Sequence, residues 1–337
     1  MDRKGIVAAG NWIIDQVKII DQFPPQDALA NIQKQAAFNG GAPYNLLKDL
    51  ALMQADFPLQ AIGLVGDDEN GALILNDCKE HGIDIQMLQK TNHASTSYTD
   101  VMTVKGSGRR TFFHYRGANA LLEPTHFQLD KSFAKIFHLG YLLLLDKLDE
   151  LDAANRTTAS YLLEEAKSKG FLTSVDVVSE DSERFEQVVF PALPFIDILF
   201  VNEYEAEKIT GIKLKEGDNV EMKKAEACAE SLIDAGVNQM VIIHFPQGAL
   251  AMDNKKNIYQ QASIKVPEEE IVGTVGAGDA FAAGVLFGIH EKMPVQLSLK
   301  LGVQVAASSL LHAAASNGVV PLAGLEDKVG SWPFREL

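Results

Sequence analysis

Residues Gly273–Gly284 read GTVGAGDAFAAG. Glycines 273, 276 and 278 run into a stretch of small apolar residues that starts at Asp279. Glycine has no Cβ, so its backbone N–H can approach an anion closely. A helix N-terminus adds unpaired N–H donors and the positive end of the helix dipole. Together they make an anion hole suited to a phosphoryl group in transfer. A carboxylate at position 279 would stand beside that hole. The stretch is not a Walker A loop, because no Gly-Lys-Ser/Thr follows, and it is not a GxGxxG dinucleotide fingerprint. Taken alone, it is equally a glycine-rich turn with an Asp near the start of a core helix.

Other residues have chemical potential at lower specificity. Asn39–Asn45 reads NGGAPYN. Its Gly40 and Gly41 permit close backbone approach to a ligand, and the Asn45 amide both donates to and accepts from hydroxyls. Val201–Gly211 reads VNEYEAEKITG, in which Asn202 and Glu205 stand where a helix cap and a first-turn acid would stand. Asp15 lies five residues after Gly10. Asp146 and Asp176 each end an apolar run, and Arg116 closes a hairpin-like segment. On these residues alone, Asn202 and Glu205 read more readily as a cap and a solvated acid and Asp15 as a solvated loop carboxylate, whereas Asp146, Asp176 and Arg116 are as readily structural or solvated as functional.

Elements that position these residues follow from periodicity. Near-continuous apolar runs at Gly5–Gly10, Ile62–Val65, Ile136–Leu145, Leu172–Val178, Ile198–Asn202 and Met240–His244 predict strands covered on both faces. Between them, helical patterns cover Pro43–Met53, Gly71–His81, Asp152–Lys169, Glu203–Ile209, Glu221–Ala235, Asp279–Glu291 and Val295–Ala315. The alternation predicts an α/β fold with a doubly wound, mostly parallel sheet, in which ligands sit beyond the carboxyl ends of the strands. Trp12–Gln33 and Thr96–Arg116 break the pattern. The second reads as a hairpin turning at Gly106-Ser107-Gly108. The two segments are expected to form a small β lid, 12–33 and 96–116, inserted in a single domain spanning 1–337.

Composition bounds the partners. The 337 residues are 47% hydrophobic and 22% charged, ordinary for a globular enzyme. With 30 basic against 45 acidic residues the net charge is -15. That balance repels polyanions and argues against nucleic acid as partner, yet leaves room for local phosphate binding. Cys78 and Cys228 lie in no metal-ligand spacing, which predicts two reduced thiols. No apolar run approaches the length that spans a bilayer, and the N-terminal residues show no secretory pattern, so no membrane association and a cytoplasmic location are expected.

TVGAGDAFAAG closely resembles the C-terminal signature of the ribokinase-like (PfkB) carbohydrate kinases. NGGAPYN resembles that family's N-terminal glycine motif, and VNEYEAEKITG its N-x-x-E motif. The three occur in the family's order. The resemblance implies a ribokinase-like fold and ATP-dependent phosphorylation of a primary hydroxyl on a sugar or sugar-like substrate. Asp279 matches the family's catalytic base, and Gly276, Ala277 and Gly278 its anion hole. Gly40, Gly41 and Asn45 match the sugar-side motif, and Asp15 the acid that holds substrate hydroxyls. Arg116 and Asp146 are further substrate-side candidates. Asn202 and Glu205 match the residues that organise Mg2+ and phosphate through water; Asp176, Gly248 and Val275 are the other nucleotide-side candidates. In related kinases the lid often pairs with a partner's lid, which implies a homodimer.

Two departures from the pattern matter. Gly273 stands where cation-activated relatives often have Asp, so little response to potassium is expected. His244-Phe245-Pro246-Gln247-Gly248 replaces a TxGxxG loop, and Pro246 cannot donate a backbone hydrogen bond. Two other functions fit the same motifs. One is a nucleoside kinase, with Phe23, Phe112, Phe113 or Tyr115 holding a base. The other is a non-catalytic sugar- or nucleotide-binding regulator, against which the intact Asp279 and anion hole argue.

Overall fold

A computed structural model describes residues 3–217 and 219–337. The strands are β1 (Ile6–Gly10), β2 (Ile13–Ile20), β3 (Ile32–Gly40), β4 (Leu59–Gly66), β5 (Asp84–Thr91), β6 (Ser97–Val104), β7 (Arg110–Tyr115), β8 (Ile136–Leu142), β9 (Leu172–Val177), β10 (Ile198–Asn202), the short pair β11 (Lys215–Glu216) and β12 (Asn219–Val220), then β13 (Met240–Phe245), β14 (Gly248–Asp253) and β15 (Ile258–Ala262). The α-helices are α1 (Ala42–Leu52), α2 (Glu69–Glu80), α3 (Asp146–Asp149), α4 (Thr158–Ser168), α5 (Phe185–Val189), α6 (Glu203–Thr210), α7 (Met222–Asp234), α8 (Ala277–His290), α9 (Val295–Ser309) and α10 (Leu322–Val329).

Nine strands form one sheet in the order β15-β14-β13-β10-β9-β8-β1-β4-β5. From β13 to β5 every neighbouring pair is parallel; β14 and β15 add an antiparallel edge. The expected doubly wound, mostly parallel sheet is therefore present.

Alternate residues of the central strands feed two cores. Val7, Phe137, Val175, Val201 and Val241 pack with Leu162, Leu163, Ala206 and Leu232 on one face. Ile6, Ile136, Phe200 and Ile242 pack with Leu46, Leu50, Leu286 and Leu299 on the other. This two-residue alternation between apolar faces is why the strands read as continuous apolar runs. Helices α1, α8 and α9 thus share one face of the sheet; α1 and α8 start at the carboxyl ends of the strands, and α9, antiparallel to α8, ends there.

A second sheet of four strands, β3-β2-β6-β7, lies beside the first. Strands β2 and β3 run antiparallel, β2 and β6 parallel, and β6 and β7 antiparallel. Its first segment continues past Gln33 to Gly40, so the strand β3 leads directly into α1. One face, carrying Ile13, Asp15, Thr99, Arg110, Phe112 and His114, looks across the strand ends of the large sheet. Phe23, Phe113 and Tyr115 are exposed. Cys78 and Cys228 are buried and unpaired, in keeping with reduced thiols.

Candidate active site

The parallel strands β1, β8, β9, β10 and β13 end on one side of the sheet. Their last residues, with α8 and the small sheet, enclose a cleft of about 1030 Å3. Its floor is the turn into α8. Gly276 caps that helix with φ 77°, a left-handed conformation that glycine adopts without strain. A Cβ at 276 would also lie 2.4 Å from the Ala315 Cβ, so the turn is closed to larger residues on both counts. Val275, Gly276, Ala277 and Gly278 all line the cleft. The first-turn N–H groups of α8 have no helical partner of their own.

Asp279 is the third residue of α8 and is 4% exposed. Asn45 Nδ2 donates to its Oδ2 at 2.7 Å, and the Tyr141 hydroxyl donates to its Oδ1 at 2.7 Å. Burial pushes its pKa up to about 6, and the two donors hold it back from rising further. A carboxylate of that pKa is ionised near neutrality and still basic enough to take a proton.

Asn45 comes from α1, whose N-cap is Gly41 with φ 96°. A Cβ on Gly41 would fall 2.1 Å from the Asn11 carbonyl oxygen, so the chain turns there only with glycine. Asp15, on β2, is buried on the opposite wall. Gly40 passes so close that a Cβ would lie 2.2 Å from Asp15 Oδ2. Burial, with the Asp279 charge, pushes the Asp15 pKa up to about 7. Asn11 lies on the same wall, and among the described residues neither its Oδ1 nor its Nδ2 has a partner; Asn45 Oδ1 and His114 Nε2 are likewise unpartnered there. Buried amides of this kind want hydroxyl or water partners.

Elsewhere on the cleft wall, Asn202 caps α6, and Glu205 completes a capping box. Glu205 accepts from the Asn202 N–H at 2.8 Å, from Asn202 Nδ2 at 2.7 Å and from the Ser179 hydroxyl at 2.7 Å. Asp176, near the end of β9, is buried nearby and accepts from the Val177 N–H. Burial raises both acids, Glu205 to about 8 and Asp176 well above the usual range, and the Glu205 charge adds to the rise at Asp176. Beyond them a second, more apolar cavity of about 410 Å3 lies between β13 and α9. Asn202, Gly248, Ala277 and Gly278 line it, with Phe245, Pro246, Ile264, Val303 and Leu310.

Most of the residues anticipated from sequence therefore converge. Asp15, Gly41, Asn45, Asp176, Asn202, Glu205, Val275, Gly276, Ala277, Gly278 and Asp279 share the cleft, and Gly248 stands in the adjoining cavity. Arg116 lines the cleft, but its guanidinium is bound at the rim, to Asp146 and Glu180 at 2.9 Å each and to the Leu143 carbonyl at 3.1 Å. Asp146 is that ion-pair partner and is not part of the cleft wall.

Among the wall residues that carried no earlier assignment are Asn11, Tyr141, His114 and His244. Asn11 and His244 lie at or just past strand ends, the positional signal that could have marked them. His244 is stacked on Phe281, with ring centroids 5.5 Å apart, and burial lowers its pKa to about 4. Arg335 also lines the apolar cavity, brought there by the Arg335 N–H bond to the Ser263 carbonyl.

Comparison with known proteins agrees with this architecture. Residues 3–321 match the model of the pfkB family carbohydrate kinases. A probable fructokinase-7 of Arabidopsis thaliana is 27% identical over 83% of this chain and 77% of its own length. An ATP-dependent 6-phosphofructokinase of Thermoanaerobacterium thermosaccharolyticum is 23% identical over 82% and 80% of the two chains. A solved Arabidopsis thaliana ribokinase, complexed with ribose and ATP, superposes with a TM-score of 0.79 at 19% identity, over 97% of this chain and 99% of its own. With a family match across nearly its whole length, the chain belongs to the pfkB family of carbohydrate kinases.

Proposed function

We propose that the protein transfers the γ-phosphoryl group of ATP to a primary hydroxyl of a sugar or sugar-like substrate, with Asp279 as general base. The observation that carries this is the position of Asp279: a buried, hydrogen-bonded carboxylate at the floor of the cleft, one turn into the helix whose glycine-rich start offers N–H donors.

In this mechanism the sugar lies against Asn11, Asp15 and Asn45, whose amide and carboxylate groups suit hydroxyls. The adenine ring occupies the apolar cavity beside Gly248 and Leu310, and the triphosphate runs past Asn202 to the turn at Val275–Gly278. Asp279 takes the hydroxyl proton as the oxygen attacks. The N–H groups of residues 276–278 take up the charge on the transferring oxygens, and positioning and electrostatics do the rest.

The residues on this side fit Mg2+ held largely through water. Glu205 and Asn202 offer oxygens fixed by their mutual cap, and Mg2+ keeps several waters and few protein ligands. When bound, Mg2+ neutralises charge on the phosphate oxygens. The small sheet is the lid: Arg110 on β7 donates to the Thr274 hydroxyl in the anion-hole turn, tying lid to floor. Such closure excludes water, which otherwise competes as acceptor.

The hydroxyl-seeking amides favour a sugar over a nucleoside. Turnover of ATP by the purified protein with a panel of sugars and nucleosides tests this. A preference for a hexose or pentose is expected. Turnover with nucleosides alone would replace the sugar by a nucleoside, and an enzyme that binds sugar or ATP without turnover would point to the regulator.

A further inference from the structure

The mechanism above gives no task to one of the two donors on the Asp279 carboxylate. Tyr141 directly follows Gly140 in β8 and lines the cleft. Its hydroxyl donates to Asp279 Oδ1 at 2.7 Å, while Asn45 Nδ2 donates to Oδ2 at 2.7 Å. The two donors come from different elements and take one oxygen each, so the carboxylate cannot turn without losing one of them. Each oxygen keeps a second lone pair. Burial, with the nearby Asp279, Asp176 and Glu205 charges, holds the Tyr141 phenol well above its usual range. Tyr141 is therefore a donor to Asp279 across the working pH range and never competes for its proton.

The surroundings give that hydrogen bond its weight. Asp15 on β2, Asp49 on α1, Asp176 on β9 and Glu205 on α6 are all carboxylic acids around Asp279. His244 on β13, against Gly278, is held neutral by burial. Arg110 on β7 is engaged with Thr274. The groups that stabilise the Asp279 anion against its burial are Asn45 and Tyr141.

We propose that Tyr141 is a positioning residue for the base: with Asn45 it clamps the Asp279 carboxylate and keeps it in the ionised form, a free lone pair turned to the substrate hydroxyl. This rests on Asp279 being the base. The step itself is unchanged: the substrate O–H proton passes to Asp279, and the new O–P bond forms as the bond to the ADP oxygen breaks.

The test is Tyr141→Phe, which keeps the ring and removes the hydroxyl. Two readouts are taken. One is kcat/KM for the preferred sugar from about pH 5 to about pH 9, whose acid limb reports the base in free enzyme. The other is the carboxyl 13C titration of Asp279 in sugar-free protein, obtained as the difference from an Asp279→Asn background. The acid limb is expected to move up by about one pH unit, a tenfold loss at acid pH beyond any loss on the plateau. The Asp279 resonance should titrate correspondingly higher. A limb and a resonance that both stay in place would overturn the proposal, since a merely structural Tyr141 would lower activity equally at all pH values.

Wild-type protein labelled with 3-fluorotyrosine, a stronger donor, needs no variant to fold and should shift the limb the opposite way; a limb moved upward would again overturn it. If Asp279→Asn retains full kcat, the base assignment fails instead, and the carboxyl titration still decides whether Tyr141 acts on Asp279.

Discussion

Asn45 Nδ2 stands 2.7 Å from Asp279 Oδ2, joining two motifs that lie 234 positions apart in the chain. The glycine motif that ends at Asn45 and the glycine-rich motif around Asp279 thus share one buried hydrogen bond. It arises because α1 and α8 pack side by side on one face of the sheet with their N-termini at the same edge. The residue proposed to hold a sugar hydroxyl therefore also orients the proposed base, so the acceptor hydroxyl and the proton acceptor are held in one frame.

Asp279→Asn should lower kcat by at least about 10²-fold, the lower edge of what general-base catalysis contributes. The fold should survive. Asn accepts on one side only, but Asn45 Oδ1 has no partner and can turn to receive the new NH2 group. Asn is also a good residue near a helix start. ATP affinity should hold or improve, because a negative charge near the γ-phosphate is gone. If Asp279 only helped to start a helix, turnover would barely move. Steady-state kcat and a nucleotide Kd for this variant separate the two outcomes, and a near-normal kcat would shift attention to Asp15.

How much of this was legible in the sequence depended on whether the signal was local. Gly276, Gly41 and the Asn202–Glu205 cap are features of single turns, and their residue types follow from the backbone there. Asp176 was legible because apolar β9 runs out at it. Tyr141 was not, because it sits inside the run Leu139–Leu145, where periodicity cannot say which residue leaves the sheet and faces the cleft. The strand expected over Ile136–Leu145 ends at Leu142. The helix expected to reach Ala315 stops at Ser309 for a tertiary reason: the Ser308 hydroxyl donates to the Gly318 carbonyl at 2.6 Å, and the intervening chain packs on Gly273 and Gly276. An alanine-rich segment carries no local stop signal for that. Likewise no local pattern marks the residues near position 335, yet Lys265 donates its N–H to the Pro333 carbonyl and so brings Arg335 to the apolar cavity.

Replacing sodium by potassium should change kcat/KM by well under tenfold, which is about 1.4 kcal/mol. Gly273 supplies no carboxylate, and the local packing leaves no room for one: a Cβ at 273 would stand 2.8 Å from the His312 carbonyl oxygen and 3.1 Å from the Ala313 Cα. Gly273→Asp should accordingly lower the melting temperature rather than create potassium activation. A tenfold rise in rate with potassium over sodium in the natural protein would contradict this.

The small sheet is expected to contribute to a homodimer. Its outer strands β3 and β7 have open edges, and Ile32, Phe113 and Tyr115 are exposed on it, between 43 and 51%. An open, apolar-bearing edge favours pairing or must be covered. Light scattering at micromolar concentration should give twice the chain mass, and Phe113→Lys should shift the equilibrium toward monomer. A monomer under those conditions would reject the dimer without touching the lid.

Stability of the ligand-free protein should fall as pH rises from about 6.5 to about 8. Burial raises Asp15 and Asp149 to about 7 and Glu205 to about 8. At the start of that window these groups still hold protons in the folded state, Asp15 and Asp149 until about pH 7 and Glu205 until about pH 8, whereas the unfolded chain, with ordinary carboxylates, has lost them. The folded state therefore binds more protons, and linkage makes unfolding easier as pH increases. Each group contributes up to about 1.4 kcal/mol per pH unit until it ionises. Histidines act in the opposite sense but elsewhere. Burial lowers His114 and His244 to about 4 and His138 to about 3, so the unfolded chain binds the extra protons only below about 6.5. Below that pH the two sets oppose each other; above it the carboxylates act alone. A calorimetric melting temperature should thus drop most steeply below about pH 7 and level off as Glu205 ionises near pH 8, and Asp15→Asn, which removes one contributor, should flatten the drop below about pH 7. A melting temperature that rises across the same window would mean that Asp15, Asp149 and Glu205 are already ionised in the folded protein, and that hydrogen bonding rather than burial sets their charge.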